Sequence, residues 1–261
     1  MTSGKAAKRR RAAQPARGAG KRARGKASPK VLLAGAAVLI LTVAAVVLGV
    51  GLTRGDGESA SGPPGATLPE AARVAALLRG IPQSGNVLGS PSAAVTMVEY
   101  VDLQCPYCRE FVSEVFPTLV DKYVRPGKLR VELRGLYFLG PDSERGMRAA
   151  QAAALQDRMF NVVELLYSSQ GGENSGWLSD GMVEAAARSV PGLDVGKLLA
   201  DADSGAVADT LAADSARAEQ DGVRGTPTIF VGPTGGTLSQ VQLASATDLA
   251  AIEQAIAAAG A

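Results

Sequence analysis

Every cysteine of this 261-residue chain lies in one four-residue motif, Cys-Pro-Tyr-Cys at residues 105–108. The motif follows an apolar, β-branched run at Val95–Val101, whose pattern predicts a strand buried on both faces. Residues 106–124 come next and are predicted to form a helix, because a proline at the first helical position loses no hydrogen bond. The chain must therefore fold around a buried strand that runs into a helix, with both thiols at the junction.

Two cysteines and no histidine exclude several classes of protein. A multi-disulfide scaffold needs more cysteine, and catalytic triads or imidazole acid–base chemistry need histidine. A metal site is not expected, because residues 105–108 supply two thiolates and the chain has no other Cys or His to complete a tetrahedron. The chemistry of this chain must therefore run on thiols, carboxylates, hydroxyls or a bound cofactor.

The charges of the chain are divided by position, although the formal net charge is only +2. Residues 1–30 contain 11 basic and no acidic residues, whereas from Asp56 onward 15 basic residues face 25 acidic ones. Residues 31–53 lie between them and carry no charge over 23 positions. A helix of that length spans roughly 35 Å, enough to cross a hydrocarbon core of about 30 Å. We expect one transmembrane anchor here, with a basic cytoplasmic tail and everything after Arg54 outside.

A cleaved signal peptide is the alternative for residues 31–53. The apolar region of such peptides usually runs about 7–15 residues and ends in an Ala-x-Ala-like site. This run is longer and leads into a Gly/Ser/Pro-rich segment, so an uncleaved anchor in the cell membrane is favoured. The chain after this run is exported in either case. The basic tail is predicted to be a disordered orientation signal. Binding of anionic lipid is a sharper alternative, and binding of nucleic acid is not expected.

Residues 54–83 are expected to be a flexible linker followed by a short membrane-proximal helix at residues 68–79. Gly80 and Pro82 are typical of the end of such a helix. Residues 84–261 then form one domain, which is long enough to bury a core without further disulfides.

The rest of this domain is predicted to be mixed α/β. Residues 128–139 carry a second strand in which apolar and charged side chains alternate. Residues 143–221 are helix-like almost throughout, with helices at 144–168, 180–189, 195–201 and 204–221. The elements expected after them are a strand at 228–231, a turn, a partner strand at 237–243 and a closing helix at 248–259. This order predicts an α/β domain with a helical insertion.

Residues three apart lie on one face of a helix, so the sulfurs of Cys105 and Cys108 can meet and form a small-ring disulfide. Cys105 is at the helix N-terminus, where free backbone N–H groups stabilise a thiolate, and it should be the attacking sulfur. Cys108, one turn inside, should resolve the mixed disulfide. A purely structural disulfide is the alternative, but so short a loop constrains the unfolded chain little. A redox pair is the favoured interpretation.

The segment Asp102-Leu103-Gln104-Cys105-Pro106-Tyr107-Cys108, together with Gly225-Thr226-Pro227-Thr228, resembles the thioredoxin-fold thiol–disulfide oxidoreductases, and specifically their DsbA-like exported branch. The resemblance covers about residues 84–261. The 117 residues between Cys108 and Thr226 are too many for a minimal thioredoxin and are similar to the helical insertion of the DsbA-like branch. The resemblance implies a thioredoxin-like α/β fold with a helical insertion at about residues 143–221.

The same resemblance implies roles for the site residues. Pro227 would be a cis-proline that faces the cysteine motif and binds substrate backbone, with Thr226 as its neighbour, while Pro106 and Tyr107 would contact substrate. No cofactor is implied. The implied partners are exported cysteine-containing proteins and a membrane redox partner of the DsbB or vitamin K epoxide reductase type. The best-known DsbA pattern has His where this chain has Tyr107, so a strongly oxidising character does not simply carry over.

Glu99 is the one charged residue of the apolar strand, six residues before Cys105, with Met97 and Val101 as same-face neighbours. An unpaired carboxylate buried there would cost several kcal/mol. In the DsbA-like family a buried acid at the corresponding place moves protons to and from the resolving cysteine, which implies a catalytic role for Glu99 through a raised pKa. A carboxylate at the surface, or one paired with an arginine, is the alternative.

The expected function is an extracytoplasmic, membrane-tethered thiol–disulfide oxidoreductase that forms disulfides in exported proteins, since an exported compartment favours oxidation. Two alternatives stay open. The protein could reduce or isomerise exported disulfides, or it could be a thioredoxin-fold binding or assembly factor whose cysteines are incidental.

Overall fold

The computed structural model describes residues 67–260. The strands of this part are β1 Gln83–Ser84, β2 Val87–Leu88, β3 Val95–Val101, β4 Leu129–Gly135, β5 Thr228–Pro233 and β6 Ser239–Gln240. They form one sheet in the order β1-β2-β4-β3-β5-β6. β3 and β4 are parallel, and the other neighbouring pairs are antiparallel. The sheet is therefore mixed, with β3 near its centre.

β3 is buried along its whole length. It pairs with β4 from Val95↔Leu129 to Val101↔Gly135, and with β5 on its other side. Alternate side chains point to opposite faces, so one set joins the main core and the other a smaller cluster around Tyr100. Burial on both faces requires the continuous apolar run seen in the sequence, and the strand predicted at residues 95–101 is observed there.

The cysteine motif leads into a helical segment, α2, over residues 106–124. Its consecutive parts are an α-helix at Pro106–Glu110, a π-helix at Phe111–Val115, an α-helix at Phe116–Leu119 and a π-helix at Val120–Val124. Pro117 accounts for the first π-helical stretch, because proline lacks an N–H and its ring would clash with a carbonyl one turn earlier in a regular helix. α2 is the crossover between the parallel strands β3 and β4.

Five helices between β4 and β5 make up the insertion. They are α3 Pro141–Ala154, α4 Met159–Ser168, α5 Asp180–Arg188, α6 Val195–Ala202 and α7 Gly205–Gln220, and a last helix, α8 Leu249–Ala258, follows the sheet. The sequence predicts one helix where α3 and α4 lie. The chain breaks between them at Asp157, whose φ of 56° lies in the left-handed region that a helix interior does not hold.

α1, Ala71–Leu78, is packed on the domain rather than standing apart as a membrane-proximal spacer. Val74 and Leu78 lie on one face of α1 and are buried in the main core. Arg125, just after α2, donates hydrogen bonds to the carbonyls of Leu77 at 2.7 Å and Arg79 at 2.9 Å. The folded domain therefore begins before residue 84.

The other differences from the sequence predictions lie at the sheet edges. β1 and β2 are not predicted, because two residues are too few to show a strand period. β4 ends at Gly135 instead of continuing to residue 139, since the N–H of Leu139 donates to the Asp102 side chain rather than to a neighbouring strand. β6 occupies only two residues of the predicted strand at 237–243.

The basic tail at residues 1–30, the anchor predicted at residues 31–53 and the linker up to residue 66 lie outside the described residues. Within residues 67–260, no helix combines the length and the hydropathy needed to cross a membrane. The transmembrane anchor therefore stays a prediction.

Leu78→Ala tests the packing of α1. The side chain is 4 % exposed, so truncation leaves a cavity and should lower the free energy of unfolding by about 2–4 kcal/mol. Arg79→Ala is the matched control, because it removes an exposed side chain and keeps the carbonyl that Arg125 contacts. It should change stability by less than about 0.5 kcal/mol. Equal melting temperatures for the two variants, followed by circular dichroism, would contradict the packing of α1 on the core.

Candidate active site

The two thiols lie where β3 runs into α2. Cys105 is the N-cap residue of α2 with an extended backbone, and Pro106 begins the helix. Both cysteines are free thiols. Cys105 is 5 % exposed and Cys108 is 0 % exposed. One turn of helix thus separates an outer sulfur from a fully enclosed one.

The surroundings of Cys105 favour its thiolate and lower its pKa from 9.0 to about 6. The largest cause is a hydrogen bond from the Cys108 thiol, and burial opposes it by disfavouring charge. The backbone N–H groups of Cys108 and Tyr107 also stabilise the sulfur. These N–H groups are free because the first turn of a helix has no preceding carbonyls to bond. The helix start therefore adds to the acidity of this thiol, after the larger effect of the Cys108 side chain.

Cys108 has the opposite environment. Burial raises its pKa well above 9.0, and the hydrogen bond and negative charge of Cys105 raise it further. At neutral pH the pair therefore consists of a thiolate at Cys105 and a protonated thiol at Cys108. The two sulfurs therefore differ in acidity.

The loop before β5 lies against Cys105. Thr228 of β5 pairs with Tyr100 of β3, so the residues before Thr228 lie beside those that follow β3. The Cys105 Sγ lies 3.2 Å from the carbonyl oxygen of Thr226, to which it donates a hydrogen bond in its thiol form, and the Thr226–Pro227 peptide bond is cis. The fold thus brings the two distant motifs together.

The surface around Cys105 carries the remaining predicted residues. Tyr107 is 59 % exposed, Pro106 is also exposed, and Thr226 and Pro227 are half-buried. All four adjoin Cys105, either along the chain or across the loop contact. This surface offers an aromatic ring and backbone groups to a chain that approaches the sulfur.

Glu99 lies within β3 on the same face as Met97 and Val101. It is 2 % exposed, and its Oε1 has no hydrogen-bond partner in the part of the chain that the structure describes. Burial and, second, the negative charge of Glu164 raise the pKa of Glu99 to about 8. Glu99 is therefore a buried acid and not a surface carboxylate.

Glu164 of α4 is a second buried acid, which the sequence analysis did not single out. It is 2 % exposed, and burial raises its pKa to about 8 against the opposing charge of Arg73. The sequence signal that identifies Glu99, an acid within an apolar element, could also have identified Glu164. Glu164 is the only acid in the otherwise largely apolar helix Met159–Ser168, where an unpaired carboxyl is costly.

Tyr167, also of α4, is a third buried titratable group near the motif. Its hydroxyl donates to the carbonyl oxygen of Asp102 at 3.1 Å. Burial raises the pKa of Tyr167 well above its ordinary value, and the charges of Cys108 and Glu99 act in the same direction. Cys108, Glu99 and Tyr167 are all buried, and the charges of the first two act on the third.

Buried hydrogen bonds tie the insertion to the junction that carries Cys105. The Asp102 carboxylate accepts a hydrogen bond from the Ser143 hydroxyl of α3. The Gln170 side-chain amide, just after α4, donates to the carbonyls of Leu103 at 2.8 Å and Cys105 at 3.1 Å. The insertion thus holds the backbone from which the outer thiol projects.

The apolar side chains after the motif belong to the core, as their helical spacing predicts. They are Phe111, Val115, Phe116 and Leu119. Trp177, in the connection between α4 and α5, also packs into this core. Among residues 67–260, no group of three or more Cys, Asp or Glu side chains is arranged to hold a metal ion.

Residues 83–245, more than half of the chain, match the family described as "Thioredoxin". Among curated proteins, the probable disulfide bond formation protein D of Bacillus cereus is 29 % identical over 147 residues. That alignment covers 55 % of this chain and 68 % of the relative.

Two solved structures also resemble this chain. A thioredoxin-like oxidoreductase from Silicibacter pomeroyi DSS-3 has 29 % identity and a TM-score of 0.53, covering 66 % of this chain and 90 % of its own. Oxidised BdbD from Bacillus subtilis has 24 % identity and a TM-score of 0.59, covering 68 % of this chain and 95 % of its own, a likeness of fold alone. With the family match across both motifs and these relatives, the chain belongs to the thioredoxin family, as a thiol–disulfide oxidoreductase.

Proposed function

We propose that this protein is an extracytoplasmic, membrane-tethered oxidoreductase that forms disulfides in exported proteins through Cys105 and Cys108. The observation that carries the proposal is the difference between the two thiols. The pKa of Cys105 is lowered to about 6, whereas that of the buried Cys108 is raised well above 9.0. Such a pair has one sulfur for exchange with substrate and one that is shielded from it.

The reaction begins with a disulfide between Cys105 and Cys108. A substrate thiolate attacks the Cys105 Sγ, the enzyme S–S bond breaks, and Cys108 leaves with the electron pair and takes up a proton. A second substrate thiolate then attacks the substrate sulfur of the mixed disulfide, and Cys105 leaves as a thiolate. The products are an oxidised substrate and a dithiol enzyme, which a redox partner must reoxidise.

The stability of the Cys105 thiolate favours oxidation of the substrate by the enzyme disulfide. A thiolate that is stabilised in the dithiol form makes that form more favourable relative to the disulfide, so the disulfide is passed on more readily. The hydrogen bonds from Cys108 and the first helical turn act on the dithiol form. They therefore favour oxidation of substrates over their reduction.

Substrate contact is proposed at the four residues around Cys105, which are Pro106, Tyr107, Thr226 and Pro227. The exposed Tyr107 ring offers apolar area next to the sulfur, and an aromatic ring loses little conformational entropy on binding. The loop at Thr226 and Pro227 lies beside Cys105, where an extended substrate chain would pass.

Glu99 is proposed to exchange a proton with Cys108. Each opening of the enzyme disulfide requires a proton for Cys108, and each closure releases one. The charges of Glu99 and Cys108 both act on Tyr167, and the Glu99 pKa of about 8 lets the carboxyl hold a proton near neutral pH.

The N-terminal sequence and the relatives support the proposed location and partners. The basic tail before an apolar run supports a cell-membrane anchor with a cytoplasmic N-terminus and an outward-facing domain. The substrates would be exported proteins with cysteines. A membrane redox partner of the DsbB or vitamin K epoxide reductase type would remove the electrons, since the named B. cereus relative is a disulfide bond formation protein.

Cys108→Ser should trap substrates, because it keeps the attacking sulfur and removes the resolving one. Cells producing the full-length variant should contain species of higher mass on non-reducing gels that disappear on reduction. Cys105→Ser is the matched control and should trap none. If Cys108→Ser trapped no species and kept normal function in cells, the cysteines would be incidental and a binding or assembly role would be favoured.

The alkylation rate of Cys105 by iodoacetamide should follow its thiolate. In the reduced protein the rate should be constant at neutral pH and fall as the pH drops through about 6. Cys108→Ala removes the largest cause of the lowered pKa and should move the midpoint upward, while Cys108→Ser keeps a hydroxyl donor and should move it less. Mass spectrometry of the alkylated protein gives the rates. A wild-type midpoint near 9.0, the ordinary thiol value, is the contradicting result.

A further inference from the structure

Gln104, the residue just before Cys105, places a buried amide beside the reactive thiol. The residue is 1 % exposed. Its Nε2 donates to the carbonyl oxygen of Leu139 at 3.1 Å, the Ser143 hydroxyl at 3.1 Å and the Asn174 Oδ1 at 3.2 Å. Its Oε1 accepts from the backbone N–H of Asn174 at 2.6 Å. Both ends of the amide are therefore bonded to the insertion and its adjoining loop, with three acceptors sharing the two amide hydrogens.

The partners of this amide are held in place by contacts of their own. Asn174 lies in the connection between α4 and α5, and its Nδ2 donates to the same Leu139 carbonyl at 2.8 Å. Gly140 has a φ of 115°, and a Cβ there would lie 2.5 Å from the Asn174 Oδ1. Only glycine leaves room for so close an approach. The connection and the β4–α3 loop therefore meet at the Gln104 side chain with little freedom to move.

The turn between β3 and α2 is tied to the same loop. The Gln104 backbone N–H donates to the Asp102 Oδ1 at 2.9 Å, and the Cys105 N–H donates to the Asp102 carbonyl oxygen at 2.9 Å. The Asp102 Oδ2 accepts from the Leu139 N–H at 3.1 Å. Cys105 ends this turn with the extended backbone of an N-cap residue. Gln104 is therefore the last side chain that fixes the turn before the sulfur.

The direction of the Cys105 side chain depends on this turn. The N–H groups of Tyr107 and Cys108 act on the sulfur only if it stays against the first turn of α2, because a hydrogen bond weakens steeply with distance and angle. An apolar side chain at position 104 would fill the same space without fixing a direction. A buried amide does fix one, since it needs partners at defined positions to offset the cost of its burial.

We propose that Gln104 is a positioning residue for thiol exchange, whose amide holds the turn before α2 so that the Cys105 sulfur stays against the first-turn N–H groups. The amide is buried and points into the insertion, so it acts through the backbone of Cys105 and not by meeting substrate. The inference rests on the proposed function, in which Cys105 is the sulfur that exchanges with substrate.

Release of oxidised substrate depends on how well the Cys105 thiolate is stabilised. The second substrate thiolate attacks the substrate sulfur of the mixed disulfide and forms the substrate S–S bond, and Cys105 leaves with the electron pair. A thiol of lower pKa leaves faster. A Cys105 sulfur displaced from the helix start would leave more slowly, so Gln104 affects this step although it is buried away from substrate.

Gln104→Leu tests the positioning role in the reduced full-length protein, because leucine fills the apolar volume and removes all four contacts of the amide. The rate of Cys105 alkylation by iodoacetamide is measured against pH by mass spectrometry. We expect the midpoint to move upward from the wild-type value near 6 by about one pH unit, which corresponds to weakening one hydrogen bond to a charged group.

Gln151→Leu is the matched control for a loss of structure alone. Gln151 lies in α3, is 4 % exposed, and its Nε2 donates to the Asp214 Oδ2 at 3.1 Å. Its replacement also removes a buried amide from the insertion, so both variants should lower stability in urea unfolding. Only Gln104→Leu should move the midpoint. Both substitutions are neutral, so Asp102 and Glu173, the acids near the Gln104 amide, are present in both variants.

Asn174→Gly repeats the test at an exposed position. Glycine adopts the φ of 51° found here and keeps the backbone N–H that donates to Gln104, but it removes the Oδ1 that accepts from the amide. The midpoint should move in the same direction by about 0.3 pH unit or more, because one neutral hydrogen bond is lost. Ser175→Gly is its control and should leave the midpoint unchanged, since the Ser175 hydroxyl donates to Gly172 within the connection.

A Gln104→Leu midpoint within about 0.2 pH unit of wild type would overturn the positioning role, and so would an equal movement in Gln151→Leu. Where Gln104→Leu fails to fold, an unmoved midpoint in Asn174→Gly overturns it. A wild-type midpoint near 9.0 would instead contradict the proposed function itself, because Cys105 would then have no stabilised thiolate.

Discussion

Hydrogen bonds from the first turn of α2 to the Cys105 sulfur are the interaction on which the rest of the site depends. The Cys108 thiol and the free N–H groups of the helix stabilise a thiolate at Cys105. The same contact keeps the proton on Cys108, whose burial already disfavours charge. One set of hydrogen bonds therefore produces a reactive sulfur and a protonated one. A buried protonated sulfur in turn requires a place for its proton, and Glu99 of β3 is the acid proposed to exchange it.

The topology of the sheet places these groups around α2. The antiparallel pairing of β3 with β5 brings Thr226 and Pro227 beside Cys105, which leaves the outer sulfur between a loop and an exposed Tyr107. The insertion supports the junction from the other side through hydrogen bonds to Asp102 and Cys105. Cys105 thus lies between a loop that a substrate chain can pass and an insertion that fixes its backbone.

The sequence predicts those parts of the site that are encoded locally. The buried strand, the motif and the helix start are neighbours in the chain, and Glu99 stands out because an acid in an apolar strand is costly. Glu164 carries the same signal in α4, but its meaning depends on a contact between distant elements that a single sequence does not reveal. β1 and β2 are too short to show a period. The amphipathic pattern of α1 predicts a helix with one buried face, but not that this face packs on the domain core.

The equilibrium reduction potential of the Cys105–Cys108 pair tests most directly whether the stabilised thiolate makes this protein an oxidant. The full-length protein is equilibrated in glutathione buffers of graded potential, and its free thiols are counted by mass after alkylation. We predict a potential closer to the value of about −120 mV for DsbA than to the value of about −270 mV for thioredoxin. A potential near that of thioredoxin would contradict an oxidising role and favour reduction of exported disulfides.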